Sequence, residues 1–187
     1  MEFLPCRNCC AQNPWATVVV REDAQADQLS EELDFSYSHD TLTGLLNRSL
    51  FETDLRTLQS SEYDSMVCTY IDVVGLHEIN NERGHEAGDQ LLHAVAERLR
   101  EQFPRDDLYR VGGDEFVVFP APAAEAEYEA RMRAVSESLA AQGYSISYGI
   151  VVCEAANGLR ELVREADEKM LGSKRAYYAE HDRRRPR

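Results

Sequence analysis

Residues 110–119 read RVGGDEFVVF. Two glycines lie between apolar runs and are followed at once by Asp114 and Glu115. The flanking segments DLYRV and FVVF have strand composition, so a hairpin is expected with Gly112 and Gly113 at its tip. The paired glycines are expected to supply positive φ and to let a ligand approach the main chain. Carboxylates at such a tip have no use in core packing. Two readings stay open for this stretch alone: a solvated turn, or a site.

A second acid shifts the balance. SMVCTYIDVV (65–74) is a continuous apolar run that closes on an acid, Asp72, and reads as a buried strand. If the two strands are neighbours, Asp72 and Asp114 converge. Converging carboxylates repel unless a cation joins them, and Mg²⁺ commonly sits between one or two carboxylates and substrate phosphates. INNERGHEAGDQLL (79–92) follows, with Asn80 just after the strand and Asp89 expected to open the next helix. An amide and a carboxylate suit the donor edge of guanine. The alternative for Asp89 is a cap or first-turn acid favoured by the helix dipole. Lys174, late in the last helix, is either solvent-facing or, with Arg175, a cation for a triphosphate.

The rest of the chain supplies the scaffold. Helices are expected from about Arg48 to Leu58, over 88–103, over 124–143 with Gly143 as its stop, and over 158–181. YSISYGIVV (144–152) is a further strand. Strands and helices alternate, yet one strand pair is a hairpin. That excludes a purely parallel doubly wound sheet and favours a mixed or antiparallel one covered by helices. Residues 1–37 form a separate segment, with a strand over 14–23 and an amphipathic helix to about Ser38. This helix either lies on the following domain or pairs with a second copy; the strand reads as the last of an upstream sensor domain. The tail DRRRPR, within 179–187, reads as disordered.

Charge narrows the function. Of 187 residues, 34 are acidic and 20 basic, for a net charge of −14. Nucleic-acid binding needs a basic footprint, which this chain lacks. A phosphorylated ligand would need local cations or a metal. No apolar run reaches the ~20 residues that span a bilayer, and the first residues lack the pattern of a signal peptide, so a cytoplasmic protein is expected. Cys6, Cys9 and Cys10 read as reduced thiols; zinc, the alternative, lacks a second ligand pair.

Five motifs in order resemble the GGDEF family of diguanylate cyclases: DTLTGLLNR (40–48), IDVVGLHEINNERGHEAGD (71–89), RVGGDEF (110–116), SYGIVV (147–152) and EADEKMLGSK (165–174). The resemblance covers roughly residues 38–178. It implies an α/β (α+β) fold with a central, mostly antiparallel five-stranded sheet surrounded by helices, akin to nucleotidyl cyclase and polymerase palm domains. It implies condensation of two GTP into cyclic di-GMP and two pyrophosphates, with Mg²⁺ or Mn²⁺, in a head-to-head homodimer. By position, Asp72 and Asp114 would hold the metal by side chains and Val73 by its carbonyl. Asp114 would help take the 3′-hydroxyl proton, with Glu115 in support. Asn80 and Asp89 would read guanine. Lys174 and the amides of Gly75, Leu76 and His77 would hold phosphates. Asp40 and Arg48 would pair to lock the first turn.

Several positions depart from the commonest family pattern. Val74 stands for a second aspartate, Leu76 and His77 for phenylalanine and lysine, Asn81 for aspartate, and Tyr178 for a second basic phosphate ligand. Weaker phosphate binding and a higher KM for GTP are expected. The alternative is a degenerate domain that binds GTP and regulates a partner. In the family's R-x-x-D inhibitory product site, Phe103 replaces the arginine and Asp106 is retained, with Arg105 out of register, so weak product inhibition is expected.

Overall fold

A computed structural model describes residues 35–58, 65–121, 125–154 and 158–182. The chain divides into two compact units at Tyr37/Ser38. In the first, only a helical turn at its end is described. The strand expected over 14–23, most of the helix after it and the cysteine cluster lie outside the described residues.

The second unit holds β1 (Leu46–Asn47), α1 (Arg48–Thr57), β2 (Ser65–Val74), α2 (Leu76–Arg83), α3 (His85–Gln102), β3 (Leu108–Arg110), β4 (Glu115–Ala121), α4 (Glu125–Ala140), β5 (Ser145–Glu154) and α5 (Leu159–Asp182). The strands form one sheet in the order β1-β3-β4-β2-β5. Among the described strands only the β1–β3 pair is parallel. The expected mostly antiparallel five-stranded sheet is therefore what the chain forms, and β3–β4 is the expected hairpin.

The helices cover both faces. On one face Val67, Ile71, Phe116 and Val118 pack with Leu91, Leu99 and neighbours of α3 and with Tyr128 and Met132 of α4. On the other, Met66, Cys68, Val117 and Phe119 pack with Phe51 of α1 and Leu162 and Ala166 of α5. Side chains alternate along a strand, so the uniformly apolar β2 serves both layers at once. Phe51 meets Tyr109 and Phe119 at ring-centroid separations of 5.2 and 6.1 Å, both non-parallel.

The turn before β1 is held by Asp40. Its carboxylate accepts the Thr43 N–H at 2.8 Å and the Thr43 hydroxyl at 2.7 Å. Gly44, at φ +64°, closes the turn. The expected partner Arg48 is replaced by Arg110, which donates to both Asp40 oxygens at 2.9 and 3.1 Å. The reason is topological. The parallel pairing sets Arg110 beside Asn47, at the base of the turn, while Arg48 begins α1. Asn47 itself caps α1 by accepting the Leu50 N–H at 3.0 Å.

The last helix runs through Asp182, so part of the tail expected to be disordered is helical. Gly149 of β5 lets this helix lie against the sheet: a Cβ there would sit 2.2 Å from the Ala166 carbonyl oxygen and 2.4 Å from the Met170 nitrogen. Gly149→Ala is expected to force sheet and helix apart and cost at least ~2 kcal/mol in urea denaturation.

The Asp40 pair makes a pH prediction. Partial burial pushes the Asp40 carboxyl up, but hydrogen bonds from Thr43 and Arg110 outweigh it and leave the group below its ordinary value. A depressed folded value stabilises above the unfolded value and is lost as pH falls through the folded one. Asp40→Asn is therefore expected to cost ~1–3 kcal/mol near neutrality. The gap to the parent chain should close as denaturation is measured at progressively lower pH below ~4.

Candidate active site at the end of the central strand

Asp72 does not close its strand; β2 continues two residues to Val74. By register its neighbours are Glu115 on β4 and Ser147 on β5. Directly opposed residues share a face, so Asp72, Glu115 and Ser147 all lie on the α1/α5 side. The hairpin tip is tied to the same place, because the Val73 N–H donates to the Asp114 carbonyl at 2.9 Å. Glu115 is the first residue of β4 and not part of the loop.

Asp72 is 4% exposed. Its Oδ2 accepts Lys174 Nζ at 2.7 Å, whereas its Oδ1 is buried with no hydrogen-bond partner. Burial pushes the Asp72 carboxyl up; Lys174 opposes this, and Asp114 and Asp167 add to it. Glu115 is likewise pushed up by burial and then by Asp114, Asp72 and Asp167, while a hydrogen bond from Tyr70 pulls the other way. The Lys174 ammonium is favoured: its burial is outweighed by the hydrogen bond and charge of Asp72, with Asp114 adding to them. Asp72 and Glu115 thus each lie within the field of other carboxylates at the end of the sheet. Asp114 lies at the same end of the sheet, its carbonyl bonded to the residue that follows Asp72.

An orphaned carboxylate oxygen among acids fits a cation. Among the described residues, no three acid, histidine or cysteine side chains gather to hold an ion by themselves. Asp72 and Asp114 could hold one only with further oxygens from the backbone or a ligand. That is the usual habit of Mg²⁺ at phosphate sites.

The glycines of the tip act differently from expectation. Neither Gly112 nor Gly113 has positive φ. A Cβ on Gly112 would fall 2.4 Å from Glu115 Oε2, so this glycine makes room for the Glu115 side chain. Gly113 faces open space. The tip is instead anchored by Arg110, which donates to the Gly113 carbonyl at 2.7 Å while its other terminal nitrogen holds Asp40.

After β2, α2 is preceded by Gly75 (φ +80°), which offers no side-chain cap. The first-turn amides of Leu76 and His77 are thus free of a capping side chain, as a phosphate cradle requires. Glu78 also lies in that first turn, and its charge opposes an anion there. His77 is exposed and bonded to Asn81 at 3.0 Å. Asn80 is half-buried on α2, with an unpartnered Oδ1. Asp89 is exposed in the second turn of α3, which starts at His85, so the expected cap or first-turn role is overturned.

Several contributing residues escape a reading of the sequence. Tyr70, Asp167 and Ser147 sit in quoted motifs without an evident role until the sheet brings them to Asp72 and Glu115. Tyr70, Glu115, Asp167 and Arg48 line a cleft of about 300 Å³ between α1, the sheet and α5. Gly88 lies under Asn80: a Cβ there would approach Asn80 Oδ1 to 2.0 Å. Gly88→Ala is expected to displace the Asn80 side chain, read as a shift of its side-chain amide signals by NMR. Its effect on thermal stability should be small, because the Asn80 amide can swing outward toward solvent.

Residues 37–178 match the family model described as diguanylate cyclase, GGDEF domain. The chain is 39% identical over 100 residues to the cyclic di-GMP phosphodiesterase PdeB of Shewanella oneidensis, covering 53% of this chain and 12% of that protein. It is 44% identical over 90 residues to the diguanylate cyclase TpbB of Pseudomonas aeruginosa, covering 46% of this chain and 21% of that one. This chain thus spans under a quarter of either relative. In fold it is similar to the coiled coil and GGDEF domain of DgcB from Caulobacter crescentus, solved with c-di-GMP. The TM-score is 0.70 at 20% identity, over 88% of this chain and 96% of that one.

Proposed function

The chain belongs to the GGDEF domain family, and on that premise we propose that it condenses two GTP into cyclic di-GMP and two pyrophosphates. The observation that carries this reading is the buried, unpartnered oxygen of Asp72 beside Asp114 and Glu115. Asp72 and Asp114, with the Val73 carbonyl, would hold Mg²⁺ or Mn²⁺. When bound, such an ion supplies positive charge to the phosphates and lowers the pKa of a coordinated hydroxyl.

The residues divide the remaining work. Asp89 and Asn80 bind the guanine edge, the carboxylate accepting from N1–H and the exocyclic amine, which adenine does not offer. Lys174 and the amides at Gly75, Leu76 and His77 bind phosphate oxygens. The Asp114 carboxylate takes the proton of the attacking 3′-hydroxyl. That oxygen bonds to the α-phosphorus of the other nucleotide as the bond to pyrophosphate breaks. One domain carries one nucleotide, so two chains must meet face to face, and output follows the population of that encounter. GTP is an intracellular pool, which makes the cytoplasm the place of action. No helix among the described residues is long and apolar enough to cross a membrane.

A second reading, a degenerate domain that binds GTP without turnover, is favoured by the phosphate side of the site. His77 and Tyr178 stand where the family's usual basic phosphate contacts lie, Leu76 replaces its phenylalanine, and Glu78 adds a negative charge nearby. A raised KM follows from the same residues.

Incubation with GTP and Mg²⁺ followed by product chromatography separates the two readings. Cyclic di-GMP is expected, with a rate that climbs faster than linearly with protein concentration; GTP left unchanged would decide for the degenerate domain. Asp114→Ala is expected to lower the rate at least ~10²-fold. Its stability should stay within ~0.5 kcal/mol of the parent, since a hairpin-tip acid packs against little. Cyclic di-GMP added to the assay is expected to inhibit weakly. Phe103 is buried against Tyr128 at 5.2 Å and presents no cation at the position of the product-site arginine.

A further inference from the structure

Lys174 is assigned to phosphate above, yet its ammonium lies on Asp72 Oδ2 at 2.7 Å. The Asp72 side chain is 5% exposed and that of Lys174 29%. The buried end of this pair is the carboxylate, while the lysine reaches it from a helix face open to solvent. A buried carboxylate beside other acids must keep some cation close, because an uncompensated charge there strains the folded state. Lys174 meets that need from within the chain.

We propose that Lys174 is a stand-in cation: it neutralises Asp72 until a divalent ion takes the carboxylate, and is then released to the nucleotide's phosphates. The inference rests on the reading of the site given under Proposed function and assigns Lys174 a second, sequential role there. Three features support it. Asp72 has one oxygen held by lysine and one without a partner, so an ion arriving at Oδ1 would stand within a few ångströms of the ammonium. Two cations at that separation repel strongly where solvent is scarce. The lysine is a point charge on a flexible four-carbon stem, able to change partners without moving its helix. Tyr178, one turn on from Lys174 in α5, carries no charge that would compete for a phosphate once Lys174 arrives there.

The consequence is a coupling between ligands. Phosphate draws the ammonium off Asp72 and so improves the site for the ion, and the ion frees the ammonium for phosphate. Each ligand then raises the affinity for the other by the same factor. This differs from a fixed lysine that serves phosphate alone, for which removal would leave ion binding untouched or weaker.

Calorimetric titration of the full chain with Mn²⁺ alone, without nucleotide, tests this. Lys174→Met keeps the stem and drops the charge. Lys174→Gln keeps a hydrogen-bond donor for Oδ2, which guards against loss of the fold. Both are expected to bind Mn²⁺ about tenfold more tightly than the parent chain, judged by the size of the charge repulsion removed. Both are also expected to bind a non-hydrolysable GTP analogue, at saturating Mn²⁺, about tenfold more weakly, as loss of a charged phosphate contact would cause. Asp72→Asn should bind no Mn²⁺ at the site. Equal or weaker Mn²⁺ binding by both lysine variants, with binding still lost in Asp72→Asn, overturns the exchange and leaves the metal site standing. Mn²⁺ binding unchanged in Asp72→Asn, or absent from every chain, overturns the exchange and the reading of the site together.

Discussion

A carboxylate buried at the end of the central strand is the constraint around which the site is arranged. Asp72 is 4% exposed, and its strand is covered on both faces. A charge in that position is tolerated only with a partner, and here the partner comes from 102 residues away in sequence. Docking of the last helix at this place brings Asp72 its cation. Gly149 allows the close approach that brings the helix within a lysine's reach. Packing and electrostatics thus agree on one placement of α5, and each would be costly without the other.

Arg110 does for the hairpin what Lys174 does for the strand. Its guanidinium joins the Asp40 turn to the Gly113 carbonyl, so the tip carrying Asp114 is anchored to a rigid turn. The planar fork of arginine can serve two acceptors in fixed directions, which an ammonium on a flexible stem does less well. The loop is held by one residue and shaped by another, since Gly112 leaves the volume into which the Glu115 side chain folds. Gly88 and Gly149 act likewise, by absence of a Cβ at negative φ. At Gly75 the opposite reason holds: a left-handed backbone turns the chain from β2 into α2.

The two sides of the site have unequal chemistry. Around Asp72 the acids are several, Lys174 holds one of its oxygens, and the other has no partner among the described residues. Toward α2 the helix start offers backbone amides but also Glu78, and His77 and Asn81 bond to each other. A ligand bridging the two sides gains from its cation on one and from directional hydrogen bonds on the other.

The alternating strands and helices, the hairpin, the β-branched run of β2 and the ordered motifs were all legible in the chain, because they depend on local periodicity and on residue types at short spacing. Asp72 and Asp114 stood out as acids without packing use, whereas Asn80 and Asp89 were grouped with them by the family resemblance. The partners were not legible. Asp40 was expected to take Arg48, eight residues away, and took Arg110, because parallel pairing of β1 with β3 sets positions 47 and 110 side by side. Gly112 and Gly113 were expected to bend the backbone, and Gly112 instead vacates space for a side chain whose direction depends on the β2–β4 register. The sequence by itself determined which elements form and which side chains must be explained by chemistry. Only the tertiary structure decided which charges meet, because an ion pair between distant segments depends on how strands are ordered and helices docked, and residue spacing carries no record of either.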